Sequence, residues 1–243
     1  PPPPPLLITP RPPRPTLILF RRQRQMCIRD RVTIVADGSL TNLALALLTD
    51  PDLAPLLRGV LHMGGGFLPA QAGDDPLEWE TPDIPPEAWQ DCLRFNPLFD
   101  PEATAIVCQS GLALTLVPVN LTTRVYQRPE HLERLAENPS PFHRHLHRCA
   151  LPWLRWSMAE RRLSGVHLHD PLTLALLMAP EMARYRQMWV DVERLLKLED
   201  PWLREMPRPA ERRGAEVRVA VSVDAAAGEA WINARIAGMS TST

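Results

Sequence analysis

With 243 residues, 45% of them hydrophobic and 23% charged, the chain is long enough to bury a sizeable core and too apolar to be intrinsically disordered. Seven of its 27 basic residues but only one of its 28 acidic residues lie in the first 31 positions, leaving 20 basic against 27 acidic groups, a balance that argues against a nucleic-acid partner. No apolar run reaches the ~20 residues of a bilayer span, and Cys27, Cys92, Cys108 and Cys149 have no CxxC spacing, so neither a membrane protein nor a disulfide or zinc framework is expected and a cytoplasmic location is the default.

Residues 1 to 16 contain nine prolines, which remove backbone donors and preclude a helix or an interior strand. RRQRQMCIRDR, Arg21 to Arg31, resembles translated adapter read-through at the end of a fragmentary reading frame. The alternative is a basic, Pro-rich tail for RNA or an SH3-like partner, although no aromatic residue interleaves with these arginines. The expected organisation is an extended or disordered, artefactual Pro/Arg-rich segment over 1–31 and one truncated domain over 32–243.

VTIVA (32–36) predicts a strand ending at the turn residues Asp37, Gly38 and Ser39, and LTNLALALL predicts a helix capped by Ser39 or Thr41. Pro51 opens a short second helix through DPDLAPLLR, and GVLHM is a strand that runs into Gly64 to Gly66. The loop Leu68 to Leu93 is Pro-rich, and its acids Asp74, Asp75, Glu78, Glu80 and Asp83 are expected to be solvated. A helix over DPEATAIVCQS precedes a strand over GLALTLVPV (111–119). Residues 128 to 162 are mostly helical, broken at Pro139 and Pro141, residues 200 to 214 form a polar loop, and AEVRVAVSVD and AAAGEAWINARI give a last strand and helix. Such alternation predicts an α/β fold: an open, mostly parallel, Rossmann-like sheet flanked by helices, with ligands beyond the C-terminal strand ends, where Asp37, Gly64 to Gly66 and Asn120 lie.

HRHLHRC places His143, His145 and His147 at i, i+2, i+4, which splays the rings around a helix, so a solvated face is expected rather than a metal site. The glycine run lacks a following Lys-Ser/Thr and a GxGxxG pattern, and no GxSxG elbow is present, which excludes a P-loop and a serine-hydrolase nucleophile. Trp153 and Trp156 suit either the core or a stacking platform for a planar ligand, with Arg161 beside them.

GVHLHDPL (165–172), VTIVADGSLTN (32–42), LHMGGGF (61–67) and FNPLFDPEATAIV (95–107) together resemble the inosine/uridine-preferring nucleoside hydrolases, in that family's order. The family's opening DxDPGxDD loop has no counterpart here, so the sheet is expected to lack its N-terminal strands. The resemblance implies hydrolysis of the N-glycosidic bond of ribonucleosides, with Ca²⁺ holding the ribose diol and the attacking water. Asp170 matches the family's C-terminal carboxylate ligand, and Asp37 the residue that lends a main-chain carbonyl. His169 matches the residue that protonates the departing base, a role suited to an imidazole of pKa near 6.5. Asn96 matches the asparagine that hydrogen-bonds ribose hydroxyls. Arg94 stands where the family has a glutamate, replacing an acceptor with a donor. Trp153, Trp156 and Arg161 occupy the place of the helix over the nucleobase, whereas His167 is expected to point elsewhere. A nucleoside is the implied small-molecule partner and a homodimer or homotetramer the implied assembly. Without the aspartate loop the chain as written is expected to be inactive. The alternative is a non-catalytic protein of the same fold that binds a ribosyl or acidic ligand through Arg94.

Overall fold

The computed structural model describes residues 32–67, 84, 96–191, 205–206 and 214–238. In chain order it comprises β1 (Val32–Ala36), α1 (Thr41–Thr49), a 3₁₀ turn (Pro51–Leu56), β2 (Leu57–Met63), α2 (Pro101–Gln109), β3 (Leu114–Val117) and α3 (Val119–Thr122). There follow β4 (Tyr126–Gln127), α4 (Pro129–Glu137), α5 (Pro141–Glu160), β5 (Val166–His167), α6 (His169–Met178), β6 (Ala183–Asp191), β7 (Glu205–Met206), β8 (Gly214–Val223) and α7 (Ala225–Ala237).

Six strands form one sheet in the order β1-β2-β3-β8-β6-β7. β1, β2, β3 and β8 pair in parallel, while β6 is antiparallel to both β8 and β7. The mostly parallel, open α/β sheet predicted from the alternation is therefore present. Side chains alternate across each strand, and the cores divide accordingly. Leu114, Leu116, Val217 and Val219 pack with Leu43, Leu47, Ala103 and Val107 beneath α1 and α2. Val117, Ala220 and Val223 meet Leu172, Ala175, Leu176 and Ile232 of α6 and α7.

Several elements depart from the sequence reading. The strand expected over 111–119 is confined to Leu114–Val117, because Gly111 turns the chain at φ 78° and Pro118 precedes the turn of α3. β6 escaped the reading, its arginines hiding the alternation: Arg184 Nε donates to Ser222 Oγ at 2.8 Å, and charge on a sheet surface is compatible with a strand. Within the expected loop 200–214, Glu205–Met206 pairs with Trp189–Val190, so that prediction is corrected. Neither Ser39 nor Thr41 caps α1; Thr41 Oγ1 instead donates to Asp100 Oδ2 at 2.5 Å, while Asp100 Oδ1 caps α2 by accepting from Ala103 N at 3.0 Å. One carboxylate thereby ties two helix N-termini together, with a cap of this kind worth roughly 1 kcal/mol.

Candidate active site

The C-terminal ends of β1, β2 and β3 make a framework fixed by buried polar side chains. His62 lies level with Ala36 in the β1–β2 register and is fully buried. Its Nδ1 donates to the Ala36 carbonyl at 3.0 Å, because a carbonyl can only accept, which leaves the proton off Nε2. Burial lowers its pKa to about 4, so the ring is neutral at pH 7. Nε2 has no partner among the described residues and faces Gly64, where an added Cβ would stand 2.6 Å away. Only glycine fits that position. Asn120 closes the framework by accepting from Phe67 N at 2.9 Å and donating to Phe67 O at 2.8 Å, so the triple-glycine run is pinned at its far end.

Asn96 is buried in the left-handed region at φ 63°, which asparagine tolerates better than most side chains. Its Nδ2 donates to Met63 O at 2.7 Å and to Asp37 O at 3.1 Å. The amide expected to meet ribose thus spends its donors on the backbone, and on the main-chain carbonyl that the resemblance assigns to Ca²⁺. Oδ1 is the part of Asn96 left to accept from a ligand hydroxyl, and the Asp37 carbonyl keeps a second lone pair.

Asp37 and Asp170 approach from opposite segments. Asp37 is exposed as a residue, yet partial burial of its carboxyl and then the charge of Asp170 raise its pKa to about 6. Burial also raises that of Asp170. Two neighbouring carboxylates whose pKa values are both raised form a donor pair suited to a hard cation. They fit only part of such a shell, since Ca²⁺ takes about six to eight oxygens. Among the described residues no group of three or more His, Cys, Asp or Glu converges as a metal site.

His169 opens α6 beside Asp170, and its Nδ1 lies 2.6 Å from Thr122 Oγ1 at the end of α3. Burial, then His167, then Arg161 lower its pKa to about 3. A pKa lowered in this way favours the neutral ring at pH 7. The expectation that His167 points elsewhere is corrected, for its ring meets that of His169 edge-on with centroids 5.2 Å apart. Between them Leu168 is buried, at φ −97° and ψ 59°, where the chain turns from β5 into α6. Thr122, His62 and Tyr126 were missed by sequence reasoning; a histidine within the apolar run GVLHM was the only available signal.

On α5, Trp153 and Trp156 stack on each other at 4.7 Å and stay 50% and 41% exposed, which rules out the core reading. The Arg161 guanidinium sits 5.1 Å from the Trp156 ring centre, and its charge is felt by both His167 and His169. The indole pair and the histidines therefore lie on connected ground. The solvated face expected for HRHLHRC holds for His145 but not for His143, which is 1% exposed with Nε2 donating to Ile236 O at 2.8 Å. Arg94 and the loop acids Asp74, Asp75, Glu78, Glu80 and Asp83 lie outside the described residues.

Residues 12–229 match the inosine-uridine preferring nucleoside hydrolase family. A pyrimidine-specific ribonucleoside hydrolase, RihA, of Shewanella baltica is 31% identical over 167 residues, covering 67% of this chain and 46% of that protein. RihA of Klebsiella pneumoniae is 29% identical over 170 residues, 68% of this chain and 48% of that protein. The chain spans about half the length of the curated relatives it matches. Among solved structures, a plant nucleoside hydrolase, PpNRh1, superposes with a TM-score of 0.70 at 24% identity, over 90% of this chain and 66% of that one. The inosine-uridine preferring nucleoside hydrolase of Bacillus anthracis does so with a TM-score of 0.62 at 20% identity, over 90% and 64%. The strand ends, the Asp37–Asp170 pair and the match from residue 12 to residue 229 agree: the chain belongs to the inosine-uridine preferring nucleoside hydrolase family.

Proposed function

We propose that this chain carries the leaving-group side of a ribonucleoside N-ribohydrolase site together with part of its Ca²⁺ shell. The observation behind this reading is the placement of two mutually repelling carboxylates, Asp37 and Asp170, next to a histidine held by Thr122, all beyond parallel strand ends. Asp37 and Asp170 would hold the ion and Asn96 Oδ1 would accept from a ribose hydroxyl. The ion, when bound, supplies oxygen-directed coordination that orients the ribose diol and the attacking water. Water adds to C1′ as the bond from C1′ to the base nitrogen breaks. His169, neutral, stabilises the departing base by a hydrogen bond from its ring N–H, and the proton the base gains balances the one the water loses. Trp153 and Trp156 offer an indole face, and Arg161 a guanidinium plane, to the base. No described residue is assigned as the general base. That role belongs to an aspartate-rich segment whose motif this sequence does not contain, and the chain as written is inactive.

The test compares the full chain with the same chain extended in frame by a relative's segment bearing the DxDPGxDD motif. Calorimetric titration with Ca²⁺ and an inosine and uridine hydrolysis assay should give weak binding and no turnover for the former. The latter should show Ca²⁺-dependent turnover that D170A abolishes. Tight stoichiometric Ca²⁺ binding by the chain alone, or no turnover by the extended protein, would refute the reading.

A further inference from the structure

Beside His169 stands a second aromatic pair that the proposed reaction does not use. β4 and β5 form a two-residue antiparallel ladder that sets Tyr126 directly opposite His167. The Tyr126 hydroxyl lies 3.0 Å from His167 Nε2, and the two rings are 4.7 Å apart with a 51° tilt. The ladder closes only because residue 165 is glycine: a Cβ there would meet Gln127 O at 2.5 Å. Tyr126 is itself fastened from α7. Glu229 accepts from Tyr126 N at 3.0 Å and receives two 2.9 Å hydrogen bonds from Arg128, whose guanidinium sits 5.1 Å from the centre of the Tyr126 ring. A continuous set of contacts therefore runs from Glu229 through Tyr126 and His167 to the edge of His169.

Thr122 Oγ1 lies 2.6 Å from His169 Nδ1 and 3.5 Å from Val119 O. A hydroxyl has one proton, and the carbonyl at 3.5 Å is a poor acceptor for it beside a ring nitrogen at 2.6 Å. With Thr122 donating to Nδ1, the ring proton of His169 resides on Nε2, the nitrogen left to meet a ligand. That arrangement lasts only while the imidazole does not rotate about its Cβ–Cγ bond, and the ring of His167 packs edge-on against it. We infer that His167, held by Tyr126, is a positioning residue that clamps the His169 ring so that Thr122 fixes it as the Nε2–H tautomer aimed at the departing base. The direction of that N–H toward a base rests on the hydrolase reading; the clamp itself does not.

The test is heteronuclear NMR of the full chain with ¹⁵N- and ¹³C-labelled histidine, His169 being assigned by loss of its signals in H169N. Wild type should show His169 as a single Nε2–H tautomer at pH 7. H167L should convert this to an averaged pattern with backbone amide shifts elsewhere unchanged, and Y126F should move it part of the way. H167Q, whose amide reaches the Tyr126 hydroxyl, should restore much of the one-sided pattern, a rescue that packing alone would not give. T122V should abolish the tautomer preference while leaving the His167 signals in place. The clamp is overturned if His169 keeps its pattern in H167L, or if wild type already averages. Turnover does not enter these readings, so a failed hydrolase reading would leave the clamp standing, and a failed clamp would leave that reading intact.

Discussion

Three histidines share one electrostatic fate. The pKa values of His62 and His167 are lowered to about 4 and that of His169 to about 3, with burial the leading cause in each. A histidine whose folded pKa lies below its unfolded value stabilises the fold fully above about pH 6.5, and the contribution fades as pH falls toward the folded pKa. For fully buried His62 a pKa lowered from 6.5 to about 4 corresponds to about 3 kcal/mol. Urea titrations should therefore show stability dropping steeply between pH 6.5 and 4. H62N, able to keep a donor near the Ala36 carbonyl, should be weaker than wild type at pH 7 yet lose less on acidification, and equal losses would overturn the assignment. Asp37 has the opposite sign. With its folded pKa raised to about 6, its neutral form is favoured in the fold, an advantage complete below the unfolded value and gone as pH rises through about 6. D37N should raise Tm at pH 7.5 and leave it unchanged at pH 3.5; the same shift at both would show that the ionised carboxylate is not the cause.

At the scale of elements, the short β4–β5 ladder depends on Gly165. G165A would drive a methyl into Gln127 O, and steric insertion of this size costs about 1–3 kcal/mol. Chemical denaturation of G165A should show that loss, with the His167 NMR signals displaced, whereas an unchanged midpoint would mean that the ladder yields freely. This ladder was invisible in the sequence, because two-residue strands lack any period and their pairing spans 41 positions. Longer elements were readable: the β-branched run of β1 and the alternation of β8 each announce a strand in a few residues. Asp37 and Asp170 were legible through the motifs around them, but their mutual repulsion was not, since it depends on how β1 and α6 meet in space. Thr122 carried no signal at all, being one hydroxyl on a single helical turn.

Across the whole molecule, β1 forms one edge of the described sheet, with β7 at the other, and pairs with β2 alone among the described residues. Behind it, Thr33, Leu61, Thr115, Gln187 and Arg218 line an open depression of about 410 Å³ on the sheet face that α6 covers in part. Parallel sheets ordinarily have both faces covered, and unpaired edges invite pairing with other chains. Sedimentation velocity should reveal concentration-dependent association of the chain, reduced in T33K, which sets a charge at the edge. A monomer at every concentration would show that the edge is protected. The fastening of Tyr126 by Glu229, 103 residues downstream, has a consequence in time. During synthesis the ribosome emits His167 and His169 long before the carboxylate that secures Tyr126 beside them. The sheet can begin to assemble on the nascent chain, but this corner acquires its final geometry only after α7 has emerged and docked, so a chain stalled short of that helix would have a nearly complete fold and a loose candidate site.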